Sequence, residues 1–216
     1  MKRRRSGRES ANKQSPRRDL RGEIAYLAAR LIAEDGITTF AAAKQKAARQ
    51  MGITEHDSLP DNHEIDVALR SYQAIFQGDS QPQECQALRQ IAVDTMRWLG
   101  RFSPWLVGAV LSGSANRFSP IELEIVANDA KQLEMFLLNE GFQFKTHTRP
   151  LTLAQRGDTL HHVLTYEILF NEIPIVIAFY PDHAVRAAHS PRHSLKHARV
   201  QLADVELLLN IRVICP

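Results

Sequence analysis

Long apolar runs are missing from this sequence. No stretch of about 18 apolar residues occurs, which excludes a membrane-spanning helix. Cysteine is scarce as well: the chain has only Cys85 and Cys215, and neither sits in a metal-ligand spacing. Two isolated thiols in 216 residues build no disulfide framework, so a reducing, cytoplasmic setting is expected. The basic start of the chain has no apolar stretch behind it before Ile24, and this excludes a secretory signal. No internal repeat is present.

What is present is a core-forming composition with an uneven charge. Hydrophobic residues make up 44% of the chain and charged residues 24%, the proportions of an ordinary globular protein. Residues 1–21 hold nine Lys/Arg against Glu9 and Asp19, whereas the rest holds 18 basic and 22 acidic side chains. The sequence pI of about 9.0 is therefore a property of the N-terminal tail. Residues 1–21 read as a disordered basic tail, able to meet a nucleic acid electrostatically or to remain a solvated arm.

Residues 22–80 read as a helical region. Ile24, Leu27, Ala28, Leu31 and Ile32 recur at helical spacing, and Gly36 is a stop. A second helix is predicted over Phe40–Met51, with Gly52 ending it. Its Lys44, Lys46 and Arg49 either extend the basic surface or form a solvated face. Leu59–Asn62 is a turn that offers an N-cap, and a helix is predicted over Asn62–Phe76. Gly78–Pro82 reads as a linker, followed by a helix over about Gln83–Phe102.

The texture changes at Pro104, and residues 81–216 read as one α+β domain. Leu106–Leu111 is a short apolar run predicted as a buried strand, and Ser112–Ser119 as a loop. Ile121–Ala127 alternates as a half-buried strand does. A helix over Ala130–Asn139 and a strand over Phe142–Thr148 follow. Strands His161–Phe170 and Ile173–Tyr180 are joined at Asn171–Glu172, a tight hairpin signal. Ser194–Asn210 is predicted helical, and its Leu207, Leu208 and Leu209 offer an apolar surface to a protein partner.

Within this domain the chain runs Leu111-Ser112-Gly113-Ser114, then Ser119-Pro120-Ile121-Glu122-Leu123-Glu124. Carboxylates two apart on a strand share a face, and hard carboxylate oxygens suit Mg²⁺. A Gly-Ser turn ahead of such a strand allows backbone N–H groups to approach a polyphosphate. This segment resembles the polymerase-β-type nucleotidyltransferase superfamily. There, an apolar strand leads into Gly-Ser and a following strand carries Ser-Asp-Ile-Asp-Leu. Gly113 and Ser114 match the Gly-Ser pair; Ser119, Ile121 and Leu123 match the Ser, Ile and Leu.

The resemblance covers roughly Gln83–Tyr180. It implies a nucleotidyltransferase-like mixed sheet with flanking helices, a nucleotide or RNA as ligand, and Mg²⁺ if the protein is active. Gly113, Ser114, Arg117 and Ser119 are then the nucleotide-binding candidates, and Glu122 and Glu124 the catalytic and metal-binding ones.

The departures from that pattern are as informative as the matches. Pro120 falls where the first metal-binding Asp is expected, and proline has no ligand atom. Glu122 falls on the second. A register shifted by two residues would pair Glu122 with Glu124 instead. The family draws a third carboxylate from a later strand, but Ile173–Phe179 contains no acid. Glu167, Glu172 and Asp182 are the nearby candidates. A degenerate site, weak or inactive in catalysis, is the expectation; an active enzyme with a Glu-based site and a protein-interaction module are the alternatives. His193 and His197 have a helix spacing that can hold a metal. Arg186, Arg192, Lys196 and Arg199 form either a basic rim or a solvated face.

Overall fold

The computed structural model describes residues 16–53, 59–151, 161–182 and 198–210. The candidates His193, His197, Arg186, Arg192 and Lys196, and residues 1–15 of the basic tail, lie outside them. The chain divides into two compact units, Met1–Tyr72 and Gln73–Pro216. The division falls within a helix, inside the segment that composition assigns to one helical region of residues 22–80.

The first unit is helical. Helix α1 spans Pro16–Asp35. The helix thus takes in residues 16–21, which composition alone assigns to a disordered tail. Pro16 is compatible with a first turn, where its missing N–H has no partner to lose. Gly36 ends α1 at φ 69°, a conformation that costs glycine little. Helix α2 spans Phe40–Gln50, with Thr39 as its N-cap accepting from the Ala42 amide at 3.3 Å. Helix α3 spans Asn62–Phe76. It opens with a reciprocal cap: the Glu64 amide donates to Asp61 Oδ1 at 2.8 Å, and the Asp61 amide donates to Glu64 Oε2 at 2.6 Å. Ile24, Ala28, Leu31 and Ile32 form a core with Ala43, Ala47, Ile65, Leu69 and Tyr72. On α2, Lys46 is paired to Asp35 at 2.8 Å.

The second unit is α+β. Helix α4 spans Gln81–Trp98, with Pro82 in its first turn, so the stretch read as a linker already enters the helix. A 3-10 turn, Gly100–Phe102, leads to strand β1, Trp105–Val107. The apolar run Leu106–Leu111 is not one strand. It breaks at Gly108 (φ 73°), and Gly108–Ser112 forms the short helix α5. A short apolar run does not by itself distinguish a buried strand from a buried helical turn.

Strand β2 (Ile121–Ala127), helix α6 (Ala130–Asn139), strand β3 (Lys145–Leu151), strand β4 (His161–Phe170) and strand β5 (Ile173–Pro181) follow. Asn171 and Glu172 have φ of 49° and 66°, the double left-handed turn that suits a two-residue hairpin. Helix α7 spans Leu202–Asn210. Ala198–Gln201 precede it without helix, and Val200 instead bridges Leu106 in antiparallel fashion.

The sheet order is β1-β2-β5-β4-β3. Strands β2 and β5 are parallel, and the other pairings are antiparallel. Ile121, Leu123 and Ile125 point to one face with Leu106, Ile175, Ile177 and Phe179. They share a core with Leu88, Met96, Leu133, Leu137 and Val205 from the helices. The opposite face carries Glu122 and Glu124, because side chains alternate along a strand. Helix α7 buries Val205 and leaves Leu207 63% exposed. Among the described residues no helix is long and apolar enough to cross a membrane.

Candidate functional site

The register of β2 fixes what surrounds its two glutamates. Glu122 lies opposite Val107 on β1 and Val176 on β5; Glu124 lies opposite Trp105 and Ala178. The two β5 positions directly beside them are therefore aliphatic. Glu124 is 2% exposed, and the Tyr180 hydroxyl donates to its Oε1 at 3.1 Å. Arg199 stands over the Trp105 ring at 4.6 Å from its centroid, at the β1 edge of this face.

Glu122 has a different neighbour. Its carboxylate lies against Gly108, where β1 turns into α5: a Cβ placed on Gly108 would be 1.7 Å from Glu122 Oε2. Only glycine provides both that space and the φ of 73°. Sequence reasoning missed Gly108, because Val107-Gly108-Ala109 lay inside the run taken for a strand. The usable signal was a glycine inside the six-residue apolar run, where it marks a bend or a close approach rather than a strand interior.

The other acids considered as a third ligand stand apart. Glu167 pairs with Val176 from the far side, so two strand spacings, about 10 Å, separate it from Glu122. Its Oε1 lies 3.5 Å from His147 Nε2. Asp182 follows the end of β5, four residues beyond Ala178 and roughly 13 Å along the strand direction. Glu172 sits in the hairpin at the other end, four residues before Val176.

A pair of Mg²⁺ ions would need carboxylates converging on one point. Here Pro120 offers no ligand atom, Val176 and Ala178 fill the β5 positions, and Glu124 is buried against Tyr180. Among the described residues no group of three His, Cys, Asp or Glu is placed to hold a metal ion. The described side chains do not fit a two-metal centre.

The Gly113–Ser114 turn also differs from its expected role. The amides of Gly113, Ser114 and Ala115 all donate to Ala109 O, at 3.0, 3.1 and 3.1 Å. They close the C-terminal end of α5 and do not point outward at a phosphate. Gly113 adopts φ 87° for that cap, and Ser114 is buried with its Oγ 2.9 Å from Ser112 Oγ.

Side chains of the helices secure the turn from behind. Gln81 Nε2 donates to Gly113 O at 2.8 Å and Ala115 O at 2.6 Å, and Gln73 Nε2 donates to Ser114 O at 2.9 Å. Arg89 Nε donates to Val110 O at 3.1 Å. The buried Cys85 thiol approaches Val110 O at 3.8 Å, and burial pushes its pKa up, away from the reactive thiolate.

The loop that follows is pinned in the same way. Ser119 Oγ accepts from the Asn116 amide at 3.0 Å, Asn116 Oδ1 from the Phe118 amide at 2.9 Å, and Glu84 Oε2 from the Arg117 amide at 2.9 Å. Ser119 is thus a loop-forming residue, whereas Arg117 and Phe118 project outward.

The second unit is α+β with a five-stranded mixed sheet. No family model and no curated protein matches the chain. Among solved structures it is similar to a cytoplasmic RNA terminal U-transferase, with 22% identity and a TM-score of 0.32 over 48% of this chain and 31% of that one. It is also similar to a mutant of the Cid1 poly(U) polymerase bound to MgATP, with 18% identity and a TM-score of 0.35 over 55% of this chain and 39% of that one. The chain thus spans less than two fifths of the length of either solved protein. Neither likeness assigns a residue of this chain a role.

Proposed function

We propose that this protein is a nucleotidyltransferase-fold binding protein for a nucleotide or RNA, weak or inactive in nucleotidyl transfer. One observation carries the catalytic half of the reading: β5 sets Val176 and Ala178 beside Glu122 and Glu124. Two-metal transfer depends on carboxylates that clamp the ions joining the attacking and leaving oxygens. Aliphatic side chains cannot do so. Glu122 is a partly buried acid against Gly108 at the β1–α5 turn, and Glu124 serves the buried contact with Tyr180.

The binding half of the reading rests on charge. Nine basic side chains crowd residues 1–21, and counterion release from a phosphate backbone rewards such a cluster. The full-length protein is incubated with a labelled RNA primer, UTP or ATP, and Mg²⁺ or Mn²⁺. The expected result is RNA retention without primer extension. Extension that depends on the metal and disappears in Glu122→Ala would overturn the inactive reading. Affinity should fall steeply with salt. Deleting residues 1–15, which leaves α1 whole and removes Lys2, Arg3, Arg4, Arg5, Arg8 and Lys13, should flatten that dependence. A salt-independent affinity would overturn the electrostatic role of the tail.

A further inference from the structure

The loop Asn116–Ser119 combines a rigid backbone with two exposed planar side chains. Its rigidity comes from the bonds to Glu84, Asn116 and Ser119 described above, and from Gln81 holding Ala115 O just before it. A satisfied polar network of this kind holds a loop in one conformation. The groups positioned here are not in the core. Arg117 is exposed, Phe118 is 39% exposed, and the guanidinium lies over the phenyl ring at 4.7 Å from its centroid.

We infer that Arg117 and Phe118 form a stacking platform for a nucleobase. Every base has a π-face, so an exposed ring stacks on it with little regard to sequence, and a guanidinium plane does the same while favouring the adjoining phosphate. Pinning the Arg117 and Phe118 amides removes part of the ordering cost that a mobile aromatic would incur on binding. The loop leads directly into β2, whose second residue is Glu122. A base on the platform would therefore sit near the N-terminal end of β2. An internal cation–π contact alone would account for the pairing of the two side chains. It would not account for a partly buried polar scaffold, with Asn116 3% exposed, under a ring left in solvent.

This inference rests on the nucleotide- or RNA-binding reading, and the test separates the two. Binding of full-length protein to fluorescein-labelled U12 and A12 RNA is followed by anisotropy at low salt, with an abasic 12-mer as the base-free control. Unlabelled UTP and ATP serve as competitors. Three variants are compared: Phe118→Leu keeps bulk without a ring, Phe118→Ala removes both, and Arg117→Lys keeps charge without the plane. Thermal melts confirm that each variant is folded. Phe118→Leu and Phe118→Ala are expected to lose about tenfold or more on U12 and A12, the worth of one stacked base. Neither should change affinity for the abasic strand.

Arg117→Lys should lose less and keep the salt dependence. Competition by free nucleotide that weakens in Phe118→Leu would identify the mononucleotide as an occupant; its absence would restrict the platform to RNA bases. Wild-type affinity for U12 and A12 in Phe118→Leu would overturn the platform and leave RNA binding standing. No binding of RNA or nucleotide by the wild-type protein would overturn both.

Discussion

The carboxylate of Glu122 occupies the space that a side chain at Gly108 would need, 1.7 Å from the position of the missing Cβ. One strand and the turn of another are thereby locked together through a contact between residues fourteen apart in sequence. The same contact settles where the half-exposed glutamate of β2 sits.

Gly108→Ala should destabilise the protein by about 1–3 kcal/mol from the left-handed backbone alone, with the collision added. Adding Glu122→Ala should recover the collision and leave the backbone cost. Chemical denaturation of both variants measures the difference. If Gly108→Ala stays within about 0.5 kcal/mol of wild type, the range of neutral surface changes, the contact is wrong.

Tyr180→Phe removes the hydroxyl that donates to the buried Glu124 carboxyl. A loss of about 1–3 kcal/mol is expected, because a buried polar group gives up a hydrogen bond. Without a metal present, the size of this loss reports the structural role of Glu124. A variant as stable as wild type would remove Glu124 from the structural account.

Gln81 Nε2 donates to two carbonyls of the turn, Gly113 O and Ala115 O. Gln81→Ala should cost about 1–3 kcal/mol. Gln81→Glu should cost more, since it sets carboxyl oxygens against two carbonyl oxygens. Hydrogen exchange of the amides of residues 113–118 should rise in both variants. Unchanged exchange would mean that the turn is held by its own backbone.

The first unit should lose stability in acid. The Arg21 hydrogen bond, then the Asp61 amide, hold the Glu64 carboxyl below its usual range; the Glu64 amide does the same for Asp61. A carboxyl with a depressed folded pKa adds stability above its unfolded value, near 4, and that stability is lost as pH falls through the folded pKa. The melting temperature should therefore decline as pH drops below about 5. Glu64→Gln should flatten the decline. A decline that is identical in Glu64→Gln would exclude this pair as its source.

Local pattern made much of the fold legible. The alternation of Ile121–Ala127, the helical spacing of Asn62–Phe76, and the Asn-Glu hairpin are properties of neighbouring residues, and each stands where the pattern puts it. The run Leu106–Leu111 was ambiguous because either conformation buries it. The start of α1 at Pro16 was hidden by charge, which opposes burial but not helix formation.

The sequence by itself determined that Pro120 cannot ligate a metal, that Glu122 and Glu124 share a face, and that Ile173–Phe179 brings no acid. Those follow from side-chain chemistry and a period of two. Tertiary structure alone decided that β5 lies parallel beside β2, that Val176 and Ala178 flank the glutamates, and that the amides of the Gly113–Ser114 turn are spent on Ala109. It also decided that Glu122 meets Gly108. Register between strands more than fifty residues apart, and the approach of a carboxylate to a backbone, arise when the whole core closes. No local pattern encodes them.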